Sequence, residues 1–161
     1  MEREKATLLN ESLPQTLSDL AKVLGFRLIH FSTDYVFSGS GDRPWKETDE
    51  PCPVSPNHYA HSKLAGERAV LQNDNALVLR VQWLYGEKRD RFTSLKYKAV
   101  FTPFVDQFGA PAWTQEIARI VGELVHLDVV GLYQFAYDDY ASWSDVYQFV
   151  KEELGLSVQL I

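Results

Sequence analysis

Tyr59 and Lys63 stand four residues apart, downstream of the adjacent hydroxyls Ser32 and Thr33. Residues at that spacing share one face of a helix. An ammonium beside a phenol stabilises the phenolate. A phenol so tuned can act as general acid to a carbonyl that accepts hydride, or as general base in the reverse direction. A hydroxyl from Thr33 or Ser32 would hydrogen-bond the carbonyl oxygen and polarise it. The chemistry suggested is oxidation or reduction at a carbonyl or alcohol carbon. The spacing alone is a weak signal, because Tyr147 and Lys151 repeat it. No hydroxyl-bearing strand end shortly precedes that second pair, which reads as a partly buried tyrosine and a solvated lysine.

Such chemistry needs a strand to deliver the hydroxyls and a helix to carry Tyr59 and Lys63. Residues 26–31 form an apolar run suited to a buried strand, with Ser32 and Thr33 following it. In open parallel sheets, ligands bind beyond the strand carboxyl ends. Residues 59–72 read as the helix, stopped by Asn73, Asp74 and Asn75. Upstream, Leu17, Leu20, Ala21 and Leu24 recur at helical spacing over residues 14–24, and Gly25 can close that helix. Residues 38–44 are a turn cluster, and the prolines of residues 51–56 keep the chain irregular.

Further strands are expected at 76–81, 100–105 and 131–135. Residues 86–91 read as a charged loop and 109–111 as a turn. Thr114 can cap a helix reaching about Val125, with Glu116 favourable in its first turn. Ser142 and Asp145 have capping-box spacing for a last helix, to about Leu154. Residues 157–161 look like a strand just begun. Helices alternating with apolar strands predict an α/β fold with a mainly parallel sheet, as a single domain over residues 1–161.

Composition narrows the function. The chain has 161 residues, 45% hydrophobic and 24% charged, enough for a sizeable core. A formal net charge of −6 argues against a nucleic-acid surface. No apolar stretch approaches the roughly 20 residues of a membrane span, and the charged N-terminus lacks a signal-peptide core, so cytoplasmic residence is expected. One cysteine, Cys52, excludes an internal disulfide and argues against a thiolate zinc site. His58 and His61 lack carboxylate or thiolate partners nearby in sequence, so no metal is expected. Asp138 and Asp139 read as a solvated turn. The aromatics Tyr133, Phe135, Tyr137, Tyr140 and Trp143 suit either stacking on a sugar or base, or packing in a core or subunit interface.

Three strings make the oxidoreductase reading more specific: Ser32-Thr33-Asp34-Tyr35-Val36-Phe37, Tyr59-Ala60-His61-Ser62-Lys63-Leu64-Ala65-Gly66-Glu67, and Leu79-Arg80-Val81-Gln82-Trp83-Leu84-Tyr85-Gly86. Together they resemble the extended short-chain dehydrogenase/reductases that act on nucleotide sugars. Residues 106–111, and Gly131-Leu132-Tyr133 followed by Ser142-Trp143, resemble the dTDP-4-dehydrorhamnose reductase subfamily in particular. The resemblance runs in order from about Leu8 to Leu156. It implies that Tyr59 donates the proton to the C4 carbonyl of a dTDP-sugar, and that Lys63 holds the nicotinamide ribose of NADPH or NADH. It also implies that Thr33 orients the carbonyl with Ser32 beside it, and that Trp83 and Tyr85 lie near substrate or nicotinamide. Asp34 and Tyr35 read as structural.

Members of that family begin with a strand, a Gly-x-x-Gly-x-x-Gly turn and a helix that hold the pyrophosphate. Nothing like it precedes Pro14, and Gly39-Ser40-Gly41 opens no helix. The stretch between Gly86 and Asp106 is short for the family, Ala112 stands where threonine is common, and Ile161 comes before the usual C-terminus. The expected fold is therefore a partial Rossmann-like, doubly wound parallel sheet. It lacks the first βαβ cofactor-binding unit and has a reduced substrate-binding region. Open sheet edges would call for a homodimer or a protein partner to cover them. Three readings stay open. The first is a reductase of 4-keto-6-deoxy dTDP-sugars. The second is a non-catalytic binding protein of the same fold, similar to the regulatory subunit that partners methionine adenosyltransferase. The third is a truncated product. NADPH and NADH are not distinguished, because the residue that reads the ribose 2′ position would lie in the segment the sequence lacks.

Overall fold

The computed structural model describes residues 2–41, 43–88 and 92–161; Asp42 of the expected turn cluster and residues 89–91 of the expected charged loop lie outside the described residues. Helix α1 (Glu2–Thr7) runs through a π-helical turn (Leu8–Ser12) into α2 (Leu13–Leu24), followed by β1 (Leu28–Thr33) and a 3-10 turn (Asp34–Val36). Then come α3 (His58–Val70), β2 (Ala76–Val81), β3 (Leu84–Tyr85), a second 3-10 turn (Thr93–Tyr97), β4 (Val100–Phe101), β5 (Phe108–Gly109) and β6 (Ala112–Trp113). The chain closes with α4 (Thr114–His126), β7 (Gly131–Gln134), β8 (Ala141–Ser142), α5 (Trp143–Glu153) and β9 (Gln159–Leu160). The residues gather into two compact units, Met1–Val81 with Gly122–Phe135, and Gln82–Val121 with Ala136–Ile161.

The first unit holds the parallel sheet, in the order β1-β2-β7. Leu28 pairs with Ala76 through to Thr33 with Val81, and Leu77 pairs with Gly131 through to Arg80 with Gln134. The central strand β2 is buried along its whole length, as an apolar run flanked on both sides should be. Val70, Ala76 and Val78 form one core cluster with Leu28, Leu71 and Leu132 against it. Val36, Phe37 and Leu64 form another, with Trp45 stacked on Phe37 at 4.7 Å. Arg80 is the polar exception in β2. Its guanidinium lies over the Phe37 ring and donates to both carboxylate oxygens of Glu67 on α3, at 2.6 and 3.0 Å. Both side chains are 2% exposed. A buried pair of this kind is costly to break, because removing one partner strands the other charge.

The helix read from residue 14 in fact continues upstream through α1. Pro14 looks like a helix start because it has no N–H to give the carbonyl four residues back. Here the π turn absorbs it, with the Leu13 N–H reaching back to the Leu8 carbonyl. The turn also brings the Asn10 carbonyl against α3 at Gly66, where a Cβ would collide with it. Asn10 Nδ2 donates to Ser62 Oγ at 3.1 Å, and Ser18 Oγ donates to the Ala69 carbonyl at 3.3 Å. Pro14, Ser18 and Ala21 are the buried stripe of α2, while Leu13, Leu17, Leu20 and Leu24 are exposed. Gly25, at φ 73°, ends the helix as its spacing suggests.

The two outer strands of this sheet present their main chains differently. Leu28 N–H donates to the Asn75 carbonyl, so strand alternation turns Leu28, His30 and Ser32 toward β2, and Ile29, Phe31 and Thr33 away. On the other side Phe135 N–H donates to the Arg80 carbonyl, and the outward N–H of Gln134 meets Glu47 Oε1 at 2.9 Å. The Gln134 side chain donates to the Trp45 carbonyl at 2.9 Å.

The second unit is built from short pairings: β3 with β6 and β4 with β9 in parallel, β5 with β8 antiparallel. The strand expected at 100–105 contracts to Val100–Phe101, and the strand expected to begin near the C-terminus is β9, its partner. The capping box on α5 is formed: Ser142 Oγ accepts the Asp145 N–H, and Asp145 accepts the Ser142 N–H. Thr114 is the first residue of α4, its hydroxyl set where a Cβ on Gly86 would stand. Trp83, at φ 43°, stacks on Trp143 at 3.8 Å between ring centroids, and Gly109 passes so close to the Trp83 ring that only glycine fits.

Candidate active site

Strand β1 ends on Ser32 and Thr33, so the two hydroxyls are the last residues of the strand rather than the loop after it. Thr33 Oγ1 accepts the Tyr35 N–H at 3.3 Å and donates to Asp34 Oδ1 at 3.1 Å, which folds the chain into the 3-10 turn. Burial pushes the Asp34 carboxyl up, against the hydrogen bond from Thr33. That arrangement ties down a turn, as the sequence suggests for Asp34. Ser32 Oγ is buried with no partner among the described residues.

Helix α3 starts where the Asn57 side chain accepts the Ala60 N–H at 3.1 Å. Tyr59 therefore sits in its first turn and Lys63 one turn on. The Tyr59 ring meets Tyr35 edge-on at 6.0 Å and is 45% exposed, its hydroxyl unpartnered among the described residues. Lys63 Nζ donates to the Phe31 carbonyl at 2.5 Å, one of the groups that β1 turns away from β2. Burial lowers the proton affinity of Lys63, and the charge of Glu67 one turn later opposes that. His30, beside them, is held down to about 4, first by burial and then by the Lys63 charge, with Glu67 opposing. Its Nε2 is buried without a partner among the described residues. The imidazole is thus neutral near pH 7.

The structure brings Ser32, Thr33, Tyr59 and Lys63 together in the first unit, at the carboxyl end of β1. Trp83 and Tyr85, expected near the substrate, belong to the second unit. There Trp83 stacks on Trp143, and the Tyr85 ring packs against Phe92 at 6.0 Å. Burial, then Tyr137, raises the proton affinity of the Tyr85 phenolate. In the repeat pair the tyrosine is partly buried as expected, and only the lysine differs. Tyr147 packs among Phe92, Phe101 and Trp143, and Lys151 is half-buried rather than fully solvated.

His58 Nε2 lies 3.2 Å from Thr7 Oγ1 and 3.0 Å from the Arg3 carbonyl, bracing α1 against α3. Asp139 accepts the Tyr140 N–H, and Cys52 is exposed. The aromatics from Tyr133 to Trp143 divide between the two units. Sequence reasoning missed His30, Tyr35 and the Glu67–Arg80 pair as surroundings of the site. Glu67 was detectable, four residues beyond Lys63 on the same helix face; its pairing with Arg80 was not.

With this geometry in place, the comparisons with known proteins align with it. The profile of the RmlD substrate binding domain matches residues 1–161. A dTDP-4-dehydrorhamnose reductase of Escherichia coli K12 is 34% identical over 94% of this chain and 54% of its own length. A dTDP-4-keto-6-deoxy-D-glucose reductase of Streptomyces niveus is 31% identical over 93% of this chain and 54% of its own. A crystal structure of a dTDP-4-dehydrorhamnose reductase from Clostridium acetobutylicum superposes with TM-score 0.93 at 28% identity, covering 99% of this chain and 58% of that one. One from Bacillus anthracis, in complex with NADP, gives TM-score 0.89 at 26% identity, covering 99% and 58%. The chain therefore spans about half the length of the curated relatives it matches. An α/β fold with parallel strands, matched along its whole length, places this chain in the RmlD substrate-binding domain family.

Proposed function

We propose that this chain carries the proton-donating and substrate-orienting part of a cytoplasmic reductase. Its reaction would be reduction of the 4-keto group of a dTDP-6-deoxyhexose with NADPH or NADH. The observation that carries the reading is the convergence of Thr33, Tyr59 and Lys63 at the carboxyl end of β1. The bound nicotinamide would supply hydride to C4. Tyr59 Oη would give its proton to the carbonyl oxygen, and Thr33 Oγ1 would hold that oxygen in place. Lys63 would bind the nicotinamide ribose and keep the phenol poised. The catalytic residues in this reading are Thr33, Tyr59 and Lys63, with Ser32 beside the cofactor. Trp83 and Tyr85 would shape the sugar's surroundings.

The residues present fit one end of the dinucleotide. An outward phenol, a desolvated ammonium and the unpartnered Ser32 hydroxyl suit a ribose and a carbonyl. The pyrophosphate end is different: Gly39 to Gly41 lie in a bend that leads into no helix, and no other glycine-rich turn stands ahead of a helix among the described residues. A second copy or a protein partner over the open edge of β1 would complete the sheet. No described helix is long and apolar enough to cross a membrane.

Calorimetric titration with NADPH and NADH, each with and without a dTDP-sugar, tests the reading, followed by turnover assays. Tyr59→Phe is expected to lower turnover by about 10²–10⁴-fold, the usual worth of a positioned proton donor, with nucleotide affinity kept. A folded chain that binds neither nucleotide nor dTDP-sugar would point to the non-catalytic role. Unchanged turnover in Tyr59→Phe would remove the catalytic assignment.

A further inference from the structure

The layer between α3 and the parallel sheet holds a charged pair that the proposed reaction does not use. Alternate residues of a strand share a face, and the register sets His30 level with Val78 and Ser32 level with Arg80. Leu28 and Val78 cluster with Val70 of α3, so His30, Ser32 and Arg80, on the same face, lie beneath that helix. Above them α3 carries Lys63 and, one turn on, Glu67. A lysine and a glutamate at that spacing ordinarily pair with each other. Here the carboxylate is turned elsewhere. Its Oε1 takes Arg80 Nη2 at 2.6 Å and its Oε2 takes Arg80 Nε at 3.0 Å, while the Lys63 ammonium sits on the Phe31 carbonyl. The guanidinium lies 4.8 Å from the centre of the Phe37 ring. Its Nη1 has no partner among the described residues, so Glu67 is the anion this cation serves. The other titratable groups around Lys63 are Tyr59, His30 and Asp34. His30 is neutral near pH 7, and the Asp34 carboxyl accepts from Thr33. From residues 2–24, the side chains bonded to α3 are those of Thr7, Asn10 and Ser18, none of them charged. Glu67 is therefore the charge that acts on Lys63 among the described residues, and burial outweighs it.

We propose that Arg80 is a positioning residue for Lys63: by occupying both oxygens of Glu67 it withholds that carboxylate from the ammonium, whose N–H groups stay available to a ribose. The ribose rests on the reductase reading; the withholding of Glu67 rests on the geometry of the layer alone. A released Glu67 would swing one turn back along α3 and capture Lys63. The ammonium would then leave the Phe31 carbonyl, and a ribose hydroxyl would have to compete with a charged acceptor in a buried setting, where such a pair is strong. Fixed on Arg80, the carboxylate favours the ammonium through space without binding it. A guanidinium suits this task better than an ammonium would, because its planar fork engages both carboxylate oxygens at once.

The test reads the titration of Lys63 in the whole chain, by competitive acylation across a pH series with peptide mass spectrometry. In Arg80→Gln the Lys63 midpoint should rise by about one pH unit or more, the usual effect of an opposite charge at contact. The double variant Glu67→Gln, Arg80→Gln strands no buried charge, and in it Lys63 should return to the native midpoint or below. Arg80→Lys keeps a cation in the strand and serves where Arg80→Gln does not fold. It engages the carboxylate less fully, so a smaller rise is expected. A purely structural Arg80 would lower stability and leave the Lys63 midpoint where it is. An unmoved midpoint in a folded Arg80 variant would overturn the proposal, and so would a rise that persists in the double variant. Calorimetry with NADPH on the same proteins separates the two readings. A rise in the Lys63 midpoint, in a native chain that binds no nucleotide, retires the reductase and keeps the withholding of Glu67. Nucleotide binding with an unmoved Lys63 retires the role of Arg80 and keeps the reductase.

Discussion

At the β7 edge of the parallel sheet, Glu47 takes the outward N–H of Gln134, and the Trp45 carbonyl takes its side-chain amide. At the β1 edge, the outward groups of Ile29, Phe31 and Thr33 meet one ammonium, that of Lys63 on Phe31. Both strands are outer strands of one sheet, built on the same central β2. The difference lies in what the loops do. The segment after β1 returns with Trp45 and Glu47 to cover the far edge, and no described segment performs that service for β1. A sheet edge left with its hydrogen-bonding groups exposed is where a protein accepts another chain. The group that meets this edge is the candidate site lysine, reaching over from α3.

The contrast can be broken hardest from beneath. Glu67 is shared by both sides, since it holds Arg80 in the central strand and faces Lys63 and His30. Glu67→Ala should cost about 3–5 kcal/mol, the penalty for stranding a buried charge, read as a lowered midpoint in urea. A smaller loss than that of an exposed pair would show that the sheet does not depend on this staple.

Acid should act next, and on the β1 side. His30 is held near 4 in the folded chain against 6.5 when free. Between those values the unfolded chain binds a proton that the folded chain refuses. Stability from this group is complete above about pH 6.5 and falls as pH drops toward 4. Because the ring is partly exposed, about 2 kcal/mol is a fair scale for the loss. His30→Gln should flatten the profile over that window in denaturation series from pH 7 to pH 4.

The closed edge yields less. Glu47→Ala removes a single acceptor from Gln134, and about 1 kcal/mol is expected, with faster amide exchange at Gln134. Smallest in energy is the direct test in the unaltered chain: the Ile29 and Phe31 amides should exchange about tenfold faster than that of Gln134. Equal rates would mean that the edges are alike.

Much of this was legible in the residues. Ser142 and Asp145 announced their capping box, Gly25 its helix end, and the run from Ala76 to Val81 its strand, because each depends on neighbours in sequence. The placement of the candidate residues was legible for the same reason: one helix carries Tyr59 and Lys63, and one strand end supplies Thr33. What escaped depends on distant partners. Pro14 looked like a beginning because its accommodation requires a π turn braced by Gly66. Strand β1 runs on through Ser32 and Thr33 because β2 pairs with them. The staple joins Glu67 to Arg80 across a helix and a strand, and only the crossover geometry brings them together. The brief β4 survives through β9, far along the chain.

The face-to-face indoles of Trp83 and Trp143 have a consequence outside chemistry. Chromophores at 3.8 Å couple their excited states, so the second unit should announce itself as an exciton couplet in circular dichroism. Trp45, in the first unit, stacks on Phe37 instead. One optical scan can therefore ask whether the two units melt together or one at a time.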